Sequence, residues 1–216
     1  RMERKEEWKK VLVHELFHSF CLDFSNAKYT TLQKRVKKIF NVQSDFEISE
    51  SYSEFWAEII NCSFIGYNLL DDENDVDNFL LFTNFCIQLE KMFSLFQMVK
   101  MLNFMGLRYT NLYNKDGTGL RQILYKEDTN VLCYYVIKNI LLFFYDDFFE
   151  WCLLNNTNVL KFDKTNDNFD RFYDFFKEKY DSNVFDESIN KIEIFFKKKK
   201  TPKSILNTSR MTMCEN

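Results

Sequence analysis

The stretch VLVHELFHSF at residues 11–20 holds both histidines of the 216-residue chain, His14 and His18. On a helix, residues four apart project from one face, so the two imidazoles can aim at a common point. Two imidazole nitrogens at about 2.0–2.1 Å from an ion make half of a tetrahedral zinc site. Glu15 follows His14 directly, about 100° around the helix, beside such an ion without being forced to ligate it. That placement suits a general base acting on metal-activated water. The rival reading of the same residues is a pair of ordinary helix histidines with partners inside the protein.

A catalytic zinc needs a third protein ligand and an open position. With no third histidine in the chain, that ligand must be a carboxylate or a thiolate. The segment ISESYSEFWAEIIN, residues 48–61, puts Glu50, Glu54 and Glu58 along one side of a helix that otherwise carries Phe55, Trp56, Ile59 and Ile60. A carboxylate row bordering an apolar face is costly to bury unless histidine or metal partners compensate. Otherwise it is a solvated glutamate stripe. Glu15-x-x-His18 would also supply half of a di-iron carboxylate site, but that needs a second Glu-x-x-His on another helix. No histidine is left for it.

Together, HELFH and ESYSE resemble the gluzincin class of zinc metallopeptidases, the thermolysin-like enzymes, over roughly residues 8–62. The resemblance implies His14, His18 and Glu50 as zinc ligands and Glu15 as the base. It implies Glu54, in place of the class's aspartate, as the carboxylate that supports His14 from behind, fixing its tautomer and raising its basicity. A register one turn further on would make Glu54 the ligand and Glu58 the support; Glu50 is preferred, with Glu54 the fallback. Enzymes of this class usually place β-strands before the motif helix, including one that pairs with the substrate backbone. Either the chain is a fragment lacking that part, or the region 107–128 stands in for it. The Gly-x-Met-Glu-Asn segment of the aminopeptidases is absent, so amino-terminal specificity has no support.

Peptide hydrolysis also needs a donor to the oxyanion. With both histidines committed, Tyr134 and Tyr135 are the first candidates. Arg121 and Arg210 follow, since an arginine near the zinc could hold a substrate carboxylate. The function expected is zinc-dependent hydrolysis of peptide bonds in a peptide or protein substrate. The alternative is a non-catalytic helical structural or interaction protein that keeps such a metal site or has lost it.

These residues need helices to position them. Only four glycines and one proline punctuate the chain, and 46% of it is hydrophobic. A mainly α fold is expected, zincin-like and helical, with at most a small β-hairpin around 107–128 and no large sheet. Residues 1–200 read as one domain and 201–216 as a linker and polar tail. Periodicity places helices at about Glu3–Leu22, with Trp8, Val11, Leu12, Leu16 and Phe20 as its apolar positions, and at Tyr29–Phe40 and Glu47–Leu70. The acidic DDENDVDN supplies a turn and N-cap for Phe79–Met105. KDGTG is the strongest turn signal of the least helical region. Further helices follow at Val131–Leu154, Asn168–Tyr180 and Asp186–Lys198.

Composition bounds the rest. The 25 phenylalanines are read as coding bias rather than function. A net charge of −3 gives no reason to expect nucleic-acid binding, and Lys197–Lys200 reads as a solvated linker. Six cysteines without a Cys-x-x-Cys pair read as reduced core residues. They favour an intracellular, cytoplasmic setting, in keeping with the lack of a signal peptide. No apolar stretch reaches the length of a membrane span. Residues 131–149 come nearest, interrupted by Lys138, Asp146 and Asp147.

Overall fold

The computed structural model describes residues 7–198, 208 and 210–214. Its central helix is α3 (Ser49–Asn68), buried from Ser49 to Cys62 except for the half-buried Glu50 and Ile60. Two helices flank it: α1 (Trp8–Ser19), which carries both histidines, and α4 (Val76–Phe104), the longest described element. The acidic turn before α4 works as the sequence suggests, with the Asp75 carboxylate accepting the Asn78 N–H at 3.0 Å as an N-cap. α3 and α4 cross at Gly66. A Cβ there would stand 2.9 Å from the backbone nitrogen of Thr83, so only a hydrogen fits.

α2 (Thr30–Phe40) lies on α8 (Asn166–Lys179), with Phe40 against Phe176 and Arg35 over the Tyr173 ring. α9 (Asn183–Lys198) packs along α4. The abundant phenylalanines have a structural use. Phe24, Phe148, Phe162 and Phe172 interlock with Tyr52 and Trp151 at ring distances of 4.5–6.2 Å and fill the space beside α3.

Among the described residues there is no sheet; the one ladder contact is an isolated bridge between Asn158 and Lys161. The hairpin expected over 107–128 is absent. Tyr109–Leu112 and Lys115–Gly117 are single 3₁₀ turns, followed by the short helix α5 (Thr118–Leu124). Arg121 explains why. Its buried guanidinium donates to the carbonyls of Asn111 (2.7 Å) and Asn114 (3.0 Å) and to Thr118 Oγ1 (2.9 Å), occupying groups that strand pairing would need. The helix expected over 131–154 is also divided. A π-helical segment, Leu132–Ile137, runs into α6 (Lys138–Phe143), the helix is interrupted at Phe144, and α7 covers Tyr145–Asn155.

α1 lies the other way round from its hydrophobic pattern. Trp8, Leu12, Leu16 and Phe20 are exposed, whereas Glu7, Lys10, His14 and Phe17 are buried. The start expected at Glu3 falls outside the described residues, as do Lys199, Lys200 and the Thr201-Pro202 linker. α4 is long and apolar enough to cross a membrane by length and composition, which corrects the expectation that no apolar stretch reaches that length and that residues 131–149 come nearest. Its Glu90 and Lys100 are nevertheless buried within the fold. Replacing Gly66 with valine should separate α3 from α4 and lower stability by at least about 2 kcal/mol, the scale of overpacking a filled interface. Urea denaturation measures it, and an unchanged midpoint would refute the close crossing.

Candidate metal centre

α1 and α3 bring three ligand atoms together. His14 Nε2 and His18 Nε2 lie 3.0 Å apart, and Glu50 places Oε2 3.2 Å from the first and Oε1 3.6 Å from the second. Ligand atoms bonded to a tetrahedral zinc at 2.0–2.1 Å stand about 3.3 Å from one another. The two histidines and one carboxylate therefore match zinc in both spacing and chemistry, and they form a candidate metal-binding cluster. Of the two registers open in the sequence, the structure turns Glu50 toward the ring nitrogens and Glu54 behind them.

Each imidazole is backed by a carboxylate. Glu54 Oε2 lies 3.1 Å from His14 Nδ1, and Asp23 Oδ2 lies 2.8 Å from His18 Nδ1. Asp23 is hydrogen-bonded to His18 Nδ1 and Glu54 faces His14 Nδ1 as an ion-pair partner; carboxylates so placed favour protons on Nδ1 and leave the Nε2 atoms for an ion. Asp23 reaches its place through the end of α1. Cys21 adopts a left-handed φ of 53°, and the N–H groups of Cys21 and Leu22 return to the carbonyls of His18 (3.0 Å) and Phe17 (2.9 Å). This is a Schellman turn, normally given to glycine. It folds the following Asp23 back under His18, where Ser25 Oγ and Ser53 Oγ also donate to it at 3.0 and 3.4 Å.

Behind Glu54 lies a run of alternating basic and acidic side chains. Lys10 Nζ donates to Glu54 Oε1 and stands 3.7 Å from Glu58 Oε2, which Lys138 Nζ approaches at 3.4 Å before donating to Ser94 Oγ at 2.7 Å. All four ionisable side chains are buried. Burial alone would neutralise Glu54, but Lys10 and then His14 hold its carboxyl well below the usual range. Burial likewise opposes the charge on Lys10, and Glu54 and Glu58 outweigh it and raise its pKa. Glu58 goes the other way. Burial and the neighbouring Glu90 carry it up to about 8 against the pull of Lys138 and Lys10.

The triad itself demands positive charge. Burial opposes protonation of His14, yet Glu50 and Glu54 outweigh it and raise its pKa to about 9. Asp23 has the largest influence on His18, followed by Glu50, and the pKa rises to about 10 against burial. Burial pushes the Glu50 carboxyl up, but both histidines and Tyr134 pull it well below the ordinary carboxylate range. Without a metal, protons neutralise this cluster.

Tyr134 sits on the π-helical segment and donates from Oη to Glu50 Oε2 at 2.6 Å; burial and that carboxylate raise its pKa, so it stays a phenol. Tyr135, half-buried, shares a narrow cleft with Tyr134, Lys138 and Met211. Glu15 is exposed on the solvent side of α1, and its carboxylate has no hydrogen-bond or ion-pair partner among the described residues. Arg210 is half-buried in the returning C-terminal segment, next to the Met211 that borders Tyr134. Arg121 belongs to the 109–124 turns rather than to this centre. Neither Asp23 nor Lys10 stands out from the sequence pattern. An aspartate just past the motif helix was a signal in hand, but its meaning depends on the left-handed turn at Cys21.

Comparison with models of protein families, with curated proteins and with solved structures finds no match to this chain.

Two measurements follow from this electrostatics. At pH 7 both histidines lie below their pKa values, so zinc uptake should release at least one proton per ion, read by calorimetry in buffers of different ionisation enthalpy. Uptake without proton release would contradict a site built on His14 and His18. Lys10→Met removes the cation that keeps Glu54 ionised behind His14. It should weaken zinc binding about 10–100-fold, as loss of such supporting partners does, in a chelator competition with helix content checked by circular dichroism. An unchanged affinity would show that Lys10 has no part in the site.

Proposed function

We propose that the protein is a gluzincin-type, zinc-dependent hydrolase of peptide bonds, acting on a peptide or protein. The observation that carries this reading is the convergence of His14, His18 and Glu50, with Glu15 next in sequence to His14, exposed and without a side-chain partner among the described residues. Bound zinc would polarise the scissile carbonyl and make water a stronger acid at neutral pH. Glu15 is the residue to take the proton from the attacking water and pass it to the departing amine nitrogen. Its exposure leaves room for both partners.

Tyr134 is the donor to the developing oxyanion. Its phenol is kept protonated, and its present bond to Glu50 Oε2 puts the hydroxyl beside the ligand cluster. Tyr135 stands with Tyr134 on a narrow cleft also lined by Met211, and Arg210 precedes Met211 in the chain. Six unpaired cysteines support a reducing, intracellular setting.

Glu15→Gln separates a hydrolase from a zinc-holding structural protein. The variant should bind zinc as the parent does and lose peptide hydrolysis by a factor of about 10²–10⁴, the usual worth of a general base. Digestion of a peptide library followed by mass spectrometry reads the rate. Equal cleavage by parent and variant would overturn the assignment of Glu15.

A further inference from the structure

A second polar groove lies between the start of α1 and the facing sides of α3 and α4, and a peptide occupies it. The described part of the C-terminal segment, Thr208 and Arg210–Cys214, returns to the body of the protein there. Its backbone is bound almost group by group. Met211 N–H and Thr212 N–H donate to Glu7 Oε1 at 2.7 and 3.1 Å. Met213 N–H and Cys214 N–H donate to Glu90 Oε1 at 2.8 and 2.5 Å. Asn61 Nδ2 donates to the Cys214 carbonyl at 3.2 Å, and Lys100 Nζ donates to the Thr208 carbonyl. One side chain is also read: Thr212 Oγ1 donates to Glu90 Oε1 at 2.5 Å, with Thr212 1% exposed.

The receptor side consists of groups that do not stay buried cheaply. Glu7 and Asn61 are 4% exposed and Glu90 is fully buried. A buried carboxylate is costly unless donors fill its lone pairs. Here four successive N–H groups supply them, wrapping the carboxylates as a backbone nest wraps an anion. The groove is thus matched to an irregular peptide backbone carrying a small hydroxyl side chain.

The groove also adjoins the metal centre. Glu7 stands one helical turn before Lys10, which holds Glu54 behind His14. Met211 borders Tyr134, the residue that donates to Glu50. We propose that this groove is a peptide-docking site whose occupant is the chain's own C-terminal segment, through Thr208 and Arg210–Cys214, and that its seating fixes the start of α1 and thereby the zinc ligands. The metal half of the proposal rests on the zinc reading above; the docking half does not.

The test cuts the folded full chain at a protease sequence placed within 199–207. A synthetic peptide of residues 208–216 should rebind in trans, and its Thr212→Ala form should bind at least about tenfold more weakly, the cost of a lost hydrogen bond to a charged group. Fluorescence anisotropy reads both, and equal binding of the two peptides would overturn the docking site. Zinc affinity, by chelator competition, should fall about tenfold when the peptide is washed out and recover on its return; indifference to the peptide would overturn the coupling. If the cut protein unfolds unless peptide is added, docking is supported directly. The uncut Thr212→Val chain then decides the coupling, with about tenfold weaker zinc binding at unchanged helix content supporting it and an unchanged affinity refuting it. Should the intact chain take up no zinc, the metal reading fails while peptide rebinding still decides the groove.

Discussion

Three carboxylates on one side of a buried helix are the constraint around which this molecule is organised. Glu50, Glu54 and Glu58 line α3 where it runs through the interior; partners keep the first two ionised there, whereas Glu58 is pushed up to about 8 even with two lysines beside it. The partners come from α1 and the 132–143 region: His14 and His18 for Glu50, His14 and Lys10 for Glu54, Lys10 and Lys138 for Glu58. This demand overrides the hydrophobic pattern of α1. A helix with Trp8, Leu12, Leu16 and Phe20 on one side would ordinarily bury that side. It buries its polar side because buried carboxylates left unpaired would cost more than the exposed apolar area.

The same demand explains which parts of the site could be read in advance. Helical periodicity puts the two histidines on one face and the glutamates in one row, but the choice of Glu50 over Glu54 as ligand rests on the resemblance to the gluzincin class. Tyr134 was legible as a nearby phenol, although its seat on a π-helical segment was not. Asp23 and Lys10 were hidden for different reasons. Asp23 depends on a left-handed Cys21, a conformation that residue seldom adopts. Lys10 looks like any solvated lysine until α1 is known to turn inward. The 107–128 region misled because KDGTG is a turn signal in either setting, and nothing local reveals that the Arg121 guanidinium will claim the carbonyls of Asn111 and Asn114. The returning segment was read as a polar tail, since the carboxylates that bind its amides lie far away in sequence at Glu7 and Glu90.

The π-helical segment shows how a local irregularity serves the centre. A π turn takes up more residues than an α turn and is uncommon outside functional regions. Between Leu132 and Ile137 it buries Leu132, Cys133, Val136 and Ile137 while leaving Tyr134 directed at Glu50. The segment starts where Glu127 Oε2 accepts the Leu132 N–H at 2.9 Å. Turn, π segment and α6 thus deliver both a phenol and the ammonium of Lys138 to the same row of carboxylates, at its two ends.

The inverted set of α1 gives the molecule a built-in optical reporter. Of its three tryptophans, Trp56 and Trp151 are 2% and 8% exposed, whereas Trp8 is 46% exposed and rides on the helix that carries both histidines. A water-soluble quencher therefore meets one indole and is screened from the other two. The quenchable share of the emission belongs to α1, so events at the metal centre can be followed by fluorescence without attaching a dye.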